Sequence, residues 1–450
     1  MNTPTTDSIK KVYQYIATRE FSYTTDSREV TKGGLFIALV GEMHDGNDYI
    51  LQALANGARY IVTHLSKGDI ASEYTLGEDT EIITVPDTRA WYRVLAQYHR
   101  MQFDIPVIAI AGSNGKSTTK DLVGSILKIS HTPLVTPEND NNEIGVAQTL
   151  MQLRDYHTHA VIEVGTNHPG ELRDIVEMVA PTHGVITNIG KEHLEFFGSI
   201  EGVLEEELEL YRYFEKNDGT IYIPDNEELL KDNTSKLSKI ISYGKDTSSD
   251  VHVVLDQQVS SEVLNIIYQN TSISLQLFGA YNLYNAAAAI AIARSLGIGL
   301  YDISQGLSSY NPDGARSNIV EKPSGNTVIF DCYNANPNSM RLSLGAFSNF
   351  QTDKDKIIIL GDMLEMGDSA RAEHQEIINF LKEEKITSSQ NIYIVGDEFS
   401  GTNNHDFHVY KDKKIFAEFL QSKPFAGSCI LIKASRGIFY GDGIHELLNY

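Results

Sequence analysis

The stretch IPVIAIAGSNGKSTTKDLVGSILKI, residues 105–129, decides how the rest of the chain is read. It opens as an apolar run and stops at a glycine. It then places Leu122, Val123, Ile126 and Leu127 at helical spacing. A strand, a tight turn and a helix, in that order, set free backbone N–H groups and the positive end of a helix dipole before an anion. Gly115-Lys116-Ser117 adds an ammonium for the β- and γ-phosphates and a hydroxyl for Mg²⁺. The long form of such a loop has a glycine where this chain has Ile110. The cradle here is the shorter run Gly112, Ser113, Asn114, Gly115, Lys116, Ser117 and Thr118. The competing reading is a plain strand-to-helix turn with a surface lysine. A place at the carboxyl end of a strand favours the cradle, because open α/β sheets bind ligands there.

The same grammar repeats outward from this point. HAVIEVGT (159–166), HGVITNIG (183–190) and TIYIPD (220–225) are near-continuous apolar runs that end in polar or glycine turns. Strands of this kind are covered on both faces, as in a parallel sheet flanked by helices. After the Pro/Gly punctuation YNPDGARSN (310–318) the pattern restarts with NTVIFDCYN, KIIILGDM, NIYIVGD and CILIKASRG. Before residue 103 the runs are shorter, as in GLFIAL and ARYIVT. The expected fold class is α/β in three domains. These are residues 1–102, a central P-loop-type ATPase domain with a mostly parallel sheet at 103–312, and a C-terminal Rossmann-like domain at 313–450.

Bulk properties narrow the partners. At roughly 100–200 residues per domain, 450 residues hold two to four domains. A formal net charge of -23 argues against nucleic acid or an anionic membrane as the main partner, since both need a basic face. An anionic small molecule held by a few local cations stays open. Two cysteines, Cys332 and Cys429, give no disulfide framework and fit a reduced compartment. The N-terminal stretch lacks the apolar core of a signal peptide, and no run approaches the ~20 residues of a membrane span. A cytoplasmic monomer is expected.

Acidic and imidazole groups cluster after the loop. Glu163 falls late in an apolar run, where a carboxylate is either paired, bound to a cation, or at an edge that reaches water. His193 follows a strand end in GKEHLEFF, as a structural hydrogen-bonder or a metal ligand. In SIEGVLEEELELY (199–211), Ile200, Val203, Leu204, Leu208 and Tyr211 form one helical stripe. Glu207 falls on that stripe and is expected to face the protein with a cationic partner. Glu205, Glu206 and Glu209 fall largely outside it and are expected on a solvated face.

Together these residues resemble the Mur ligase family of ATP-dependent amide-bond-forming enzymes, whose members use the shorter phosphate loop. The likeness spans nearly the whole chain. It runs through TTDSREVTKGGLFIALVGEMHDGNDYILQALANGA, NDNNEIGVAQTLMQL, VIEVGTNHPGEL, TNIGKEHLEFFGS, LFGAYNLYNAAAAIAIA, DCYNANPNSM, LGDMLEMGDSARAEH and KASRG, in that order. It implies a ligase that uses ATP and Mg²⁺ to join D-alanyl-D-alanine to UDP-MurNAc-tripeptide in peptidoglycan synthesis. Another amino-acid ligase of the family and a non-catalytic nucleotide-binding regulator are the alternatives.

Residue by residue, the resemblance assigns Lys116, Glu163 and His193 to catalysis, and Ser117, Glu163 and His193 to magnesium. Asn282 and Asn285 would lie on the adenine side, with Arg316, Asp331 and Asn334 closing from the third domain. Asn141 and Asn142 would lie near the nucleotide and the peptide end. Asp26, Ser27 and Arg28 would lie near the UDP moiety, and Lys433, Ser435 and Arg436 near the dipeptide. Two positions depart from the family. Tyr281 stands where a histidine is usual. Glu207 stands where relatives carry a lysine that becomes carbamylated and binds metal. Glu207 either replaces that carbamate without CO₂ or marks a weakened second metal site.

Overall fold

The computed structural model describes residues 6–439 except 42–43, 74–75, 139, 259–262 and 313–315. Residues 440–450 of the third expected domain, and part of the 310–318 punctuation, therefore lie outside the described residues. The first sheet runs β1 (Tyr23–Thr24), β2 (Leu35–Ile37), β3 (Tyr60–Thr63) and β4 (Glu81–Thr84), all parallel and in that order.

The central sheet is built from β5 (Val107–Ala111), β6 (Pro133–Val135), β7 (His159–Glu163), β8 (His183–Ile186), β9 (Thr220–Pro224), β10 (Ile240–Gly244) and β11 (Val251–His252). Its order is β11-β10-β9-β8-β5-β7-β6, and every pairing is parallel. The chain leaves β5 toward one edge and returns past it to β8 on the other side. The carboxyl end of β5 is thus a topological switch point, where such sheets open a crevice.

A short antiparallel meander follows: β12 (Val254–Leu255), β13 (Leu264–Tyr268) and β14 (Thr271–Leu275). Its tight turn is Gln269-Asn270, with both residues left-handed at φ 47° and 61°, as a primed hairpin turn requires. The final sheet comprises β15 (Asn318–Glu321), β16 (Thr327–Asp331), β17 (Asp355–Gly361), β18 (Ile392–Val395), β19 (His408–Tyr410) and β20 (Ser428–Lys433). Its order is β15-β16-β20-β17-β18-β19, with only the β15 pairing antiparallel.

Every residue of β5 is buried, so the strand that carries the glycine loop has no freedom to shift. The helix after the loop, Lys116–Leu127, buries Leu122, Val123, Ile126 and Leu127 as its spacing predicts. It packs on the alanine-rich helix Asn282–Ser295 and on the helix Leu300–Ser309. At Gly306 a Cβ would stand 2.4 Å from Ile126 Cα, so only glycine permits this approach.

On the opposite face, helix Thr88–Arg100 joins the first sheet's unit to the central one. The Arg100 guanidinium donates to the carbonyls of Val179 (3.0 Å), Ala180 (2.9 Å) and Phe103 (2.9 Å). His99 is wholly buried beside it, between the Tyr13 hydroxyl (3.0 Å) and the Leu153 carbonyl (3.1 Å). Burial, helped by the Arg154 charge, pushes the His99 imidazole from its ordinary 6.5 down to about 4. An unfolded chain takes up this proton near pH 6.5 and the folded one only near 4. The neutral histidine's contribution is therefore complete above 6.5 and lost as pH falls through that window. The expected result is a stability that drops between pH 6.5 and 4, by at most ~1.4 kcal/mol per pH unit from this group. His99→Gln should flatten the slope in urea unfolding followed across that range.

Candidate active site

The glycine loop closes on itself through the end of β8. Ser113 N donates to the Asn188 carbonyl (2.9 Å) and Asn114 N to Asn188 Oδ1 (3.1 Å). The Thr187 hydroxyl donates to the Asn114 carbonyl (2.7 Å), and Ser113 Oγ accepts from Gly190 N (2.8 Å). Two glycines make this possible. At Gly112 (φ 110°) a Cβ would lie 2.4 Å from Thr187 Oγ1, and at Gly115 (φ 82°) 2.3 Å from Asn285 Oδ1. Asn285 also donates to Asn282 Oδ1 (2.7 Å), and Asn282 donates to the Phe278 carbonyl (2.8 Å). Asn282 and Asn285 thus form a buried buttress behind the loop. Tyr281, the departure from histidine, hydrogen-bonds Ser317 Oγ at 2.9 Å.

Lys116 folds back over its own loop. Its ammonium bonds the Gly112 carbonyl and reaches the Ser113 carbonyl (3.5 Å) and Glu192 Oε2 (3.4 Å). Burial alone would lower this ammonium, but Glu192, Glu207 and Glu163 outweigh it and raise it, so the lysine stays charged. Glu207 is 2% exposed, as its place on the apolar stripe implies. Burial, then the neighbouring Glu192, push its carboxyl up to about 8 against the pull of Lys116. Glu207 Oε2 has no hydrogen-bond partner.

Glu163 closes β7 and is 1% exposed. Its Oε1 accepts from Ser117 Oγ (2.9 Å) and Asn141 Nδ2 (2.9 Å), while its buried Oε2 accepts no hydrogen bond. His193 is left-handed (φ 45°), with Nδ1 2.5 Å from Glu365 Oε2 and Nε2 3.9 Å from Glu192. The imidazole holds the Glu365 carboxyl below its ordinary range. Ser117 and Glu163 are therefore brought together, and Glu207 joins Lys116. His193 faces the last sheet's unit. Among the described residues, no three His, Cys, Asp or Glu side chains converge as a ready metal cage.

The expected solvated face of the acidic helix needs one correction. Glu205 is exposed and Glu209 half-buried, both paired with Arg212 at 2.5 Å. Glu206 is only 6% exposed and accepts from Gly170 N (2.7 Å) and Leu172 N (2.8 Å). The helix Glu171–Val179 starts at Gly170, which has no side chain to cap it, so a carboxylate from elsewhere satisfies its free N–H groups.

The last sheet's unit reaches the loop through polar contacts. Asn336 Nδ2 donates to Asn114 Oδ1 (2.8 Å), and Lys191 pairs with Glu373. Asp331 and Lys433 are register partners on β16 and β20 and form an ion pair at 3.1 Å, with Lys433 also donating to the Asn334 carbonyl (2.9 Å). Ser435 Oγ accepts from Leu364 N (3.0 Å). Arg316 and Arg436 both stack on the Tyr333 ring, 3.2 and 5.3 Å from its centroid. Asn142 caps helix Glu143–Leu150, and Thr118 is half-buried on the first turn after the loop. Asp26, Ser27 and Arg28 sit apart, in the first sheet's unit. Asp26 caps a short turn and pairs with Arg28, which holds its carboxyl near 2, and Ser27 donates to Gln52 (2.7 Å).

Sequence reasoning passed over Glu192, Glu365 and Asn336. Glu192 adjoins His193 in a strand-end turn, and the other two lie inside quoted motifs, so the signal was adjacency.

What this arrangement defines first is a class: a P-loop nucleotide-binding enzyme with a second α/β unit in contact with its phosphate loop. Family models match the Mur ligase middle domain at residues 110–293, the Mur ligase glutamate ligase domain at 315–436 and the Mur ligase catalytic domain at 22–100. The chain belongs to the Mur ligase family. A UDP-N-acetylmuramoyl-tripeptide–D-alanyl-D-alanine ligase of Bacillus subtilis is 30% identical over 443 residues, covering 97% of this chain and 95% of that one. Its namesake from Synechocystis is 31% identical, over 94% and 91%. The crystal structure of MurF from Acinetobacter baumannii matches the whole of both chains at 28% identity with a TM-score of 0.83. MurF of Thermotoga maritima, solved with ADP, shares the fold at 24% identity and a TM-score of 0.82, over 95% of this chain and 97% of that one.

Gly115→Ala tests the loop. The left-handed backbone and the 2.3 Å clash with Asn285 act together. Affinity for an ATP analogue, measured by calorimetry, should fall by about tenfold or more, since the strain alone is worth ~1–2 kcal/mol.

Proposed function

We infer that this chain is an ATP-dependent ligase that joins D-alanyl-D-alanine to UDP-N-acetylmuramoyl-tripeptide in peptidoglycan synthesis. The observation that carries this is likeness to ligases of that name along almost the whole chain, at 30% identity, with Lys116 and Ser117 after β5 set against Glu163 at the end of neighbouring β7.

A carboxylate does not condense with an amine in water, because oxide is too poor a leaving group. Transfer of the γ-phosphoryl group of ATP to the substrate carboxylate gives an acyl phosphate. The dipeptide amine adds to its carbonyl carbon, and phosphate leaves from the tetrahedral intermediate. Both reactants of the first step are anions, so charge neutralisation is the main task. Lys116, held now by Glu192 and its own loop, would turn to the β- and γ-phosphates, and the loop N–H groups would bind them.

The residues at hand fit Mg²⁺. Glu163 Oε2 and Glu207 Oε2 are buried without hydrogen-bond partners, and hard oxygen donors suit a small cation that also keeps phosphate oxygens and water. Ser117, Glu163, His193 and Glu207 would hold it. When bound, it supplies the charge neutralisation that lets carboxylate and phosphate meet. Glu207 would provide the anionic oxygens of a carbamylated lysine on a shorter stem.

Around this centre, Asn282 and Asn285 would support the adenine side, and Arg316, Asp331 and Asn334 would close over the nucleotide. Asn141 and Asn142 would attend the peptide end. Lys433, Ser435 and Arg436 would hold the dipeptide, and Asp26, Ser27 and Arg28 the UDP group. We assign the three ligands to three domains, 1–102, 103–312 and 313–450, working as a monomer in the cytoplasm. Closure of the third on the second would keep water from the acyl phosphate.

Two experiments test the reading. Phosphate release with UDP-MurNAc-tripeptide, ATP and Mg²⁺ should require D-Ala-D-Ala, and Lys116→Ala should lower it by about a hundredfold or more. Release without the dipeptide would make the chain a plain ATPase, and activity with another amino acid would assign it to a different ligase. Glu207→Ala should raise the Mg²⁺ needed for half-maximal rate by about 10- to 100-fold. Glu207→Lys should make the rate depend on bicarbonate. Full activity in Glu207→Ala would overturn the metal role of this carboxylate.

A further inference from the structure

Lys120 ends the loop motif GSNGKSTTK, and the phosphate chemistry leaves it unused. It lies one helical turn after Lys116 and is 2% exposed. Its ammonium donates to the carbonyls of Thr136 (3.0 Å) and Glu138 (2.9 Å). It also stands 3.1 Å from Asp121 Oδ1 and 3.8 Å from Glu163 Oε2. A lysine head is costly to bury, and an apolar side chain of like volume often serves stability as well. What this charge touches is therefore informative.

Its contacts lead to Glu163 by two routes. One is direct, to Oε2, which accepts no hydrogen bond. The other runs through the segment leaving β6, whose carbonyls it binds. In that segment the Thr136 hydroxyl accepts from Glu163 N (3.0 Å), and Asn141 Nδ2 donates to Glu163 Oε1 (2.9 Å). The Asn141 carbonyl accepts from Gly165 N (2.8 Å), just beyond β7. Ser117, on the helix that carries Lys120, completes the set at Oε1. The backbone N–H and Oε1 of Glu163 are thus each bonded by a group tied to Lys120 or to its helix, and Oε2 faces the ammonium itself.

We propose that Lys120 is a positioning residue for the ligase reaction. It anchors Thr136 and Glu138 to the phosphate-loop helix and so sets the orientation in which Glu163 presents Oε2. This rests on the reading of Glu163 as a magnesium carboxylate. A lysine that merely satisfied two carbonyls would leave metal affinity alone.

The test uses the full chain with Lys120→Met, Lys120→Arg, Thr136→Val and Glu163→Gln. Mn²⁺ binding in the presence of a non-hydrolysable ATP analogue is read by electron paramagnetic resonance. Hydrogen exchange is read on the ligand-free protein. Lys120→Met should weaken Mn²⁺ binding by about 10- to 100-fold and speed exchange at residues 136, 138, 141 and 142, while the helix 116–127 stays protected. Lys120→Arg, which keeps the charge, should recover part of the affinity. Thr136→Val should shift Mn²⁺ binding in the same direction by less, and it carries the test if Lys120→Met does not fold. Wild-type Mn²⁺ affinity in Lys120→Met, or in Thr136→Val where the methionine variant fails to fold, would overturn the proposal. If Glu163→Gln also leaves Mn²⁺ binding unchanged, the metal reading of Glu163 falls first, and the two failures are told apart.

Discussion

Three carboxylates and two ammonium groups share the dry ground at the carboxyl ends of β5, β7 and β8. Glu163, Glu192 and Glu207 are each 5% exposed or less, and among the described residues Lys116 and Lys120 are the ammonium groups that stand against them. Two of the carboxylates keep an oxygen with no hydrogen bond. A third ionised carboxylate here would be a buried and only partly paired charge, which desolvation makes costly. On the proposed reading of Mg²⁺ at this centre, a nucleotide arriving with a divalent ion would let that third carboxylate ionise. Glu207 records the same tension: burial and Glu192 raise its carboxyl to about 8.

The fold makes that concentration of charge tolerable. β5 is buried along its whole length, and the reversal of strand order on its two sides opens a crevice at its carboxyl end. The helix that starts at Lys116 is clamped by an alanine-rich helix and by the contact at Gly306, so its N-terminus does not wander. Behind the loop, Asn285 fits where a side chain at Gly115 would go. The loop's shape is thus imposed from three directions, by β8, by the asparagine pair and by its own helix, and the glycines absorb the strain.

Legibility in the sequence followed the physics of each element. Strands buried on both faces announce themselves as unbroken apolar runs: β5, β7, β8, β9, β16 and β18 fall inside runs quoted from the sequence, and β17 and β20 start one residue before theirs. The meander β12–β14 went unremarked, because its outer strands β12 and β14 are partly exposed and its turn uses Gln269-Asn270 without a glycine. Glu207 could be placed by its stripe, since it buries itself with its own helix. Glu206 could not, because its partner is the uncapped start of a helix 35 residues earlier in the chain, at Glu171. Glu192 and Lys120 were hidden for a related reason. Each matters through what the tertiary fold sets opposite it, and a charged residue in a turn or near a helix start looks solvated until its neighbours are known.

The seam between the central and last units has the composition of something meant to part. Among the described residues its hydrogen bonds and ion pairs include Asn336 with Asn114, Tyr281 with Ser317, Lys191 with Glu373, and His193 with Glu365. Glu365 and Lys191 remain about half exposed, so such pairs contribute on the order of 0–1 kcal/mol each and exchange readily with water. The apolar share is small: Leu194 and Phe278 from the central side enter the core of the last unit. A larger hydrophobic seam would have locked the two units together. Two of the polar pairs involve groups proposed for the nucleotide or the metal, Asn114 and His193. On the proposed function, a ligand that recruits them would compete with the seam itself, and substrate binding and closure would draw on the same few contacts.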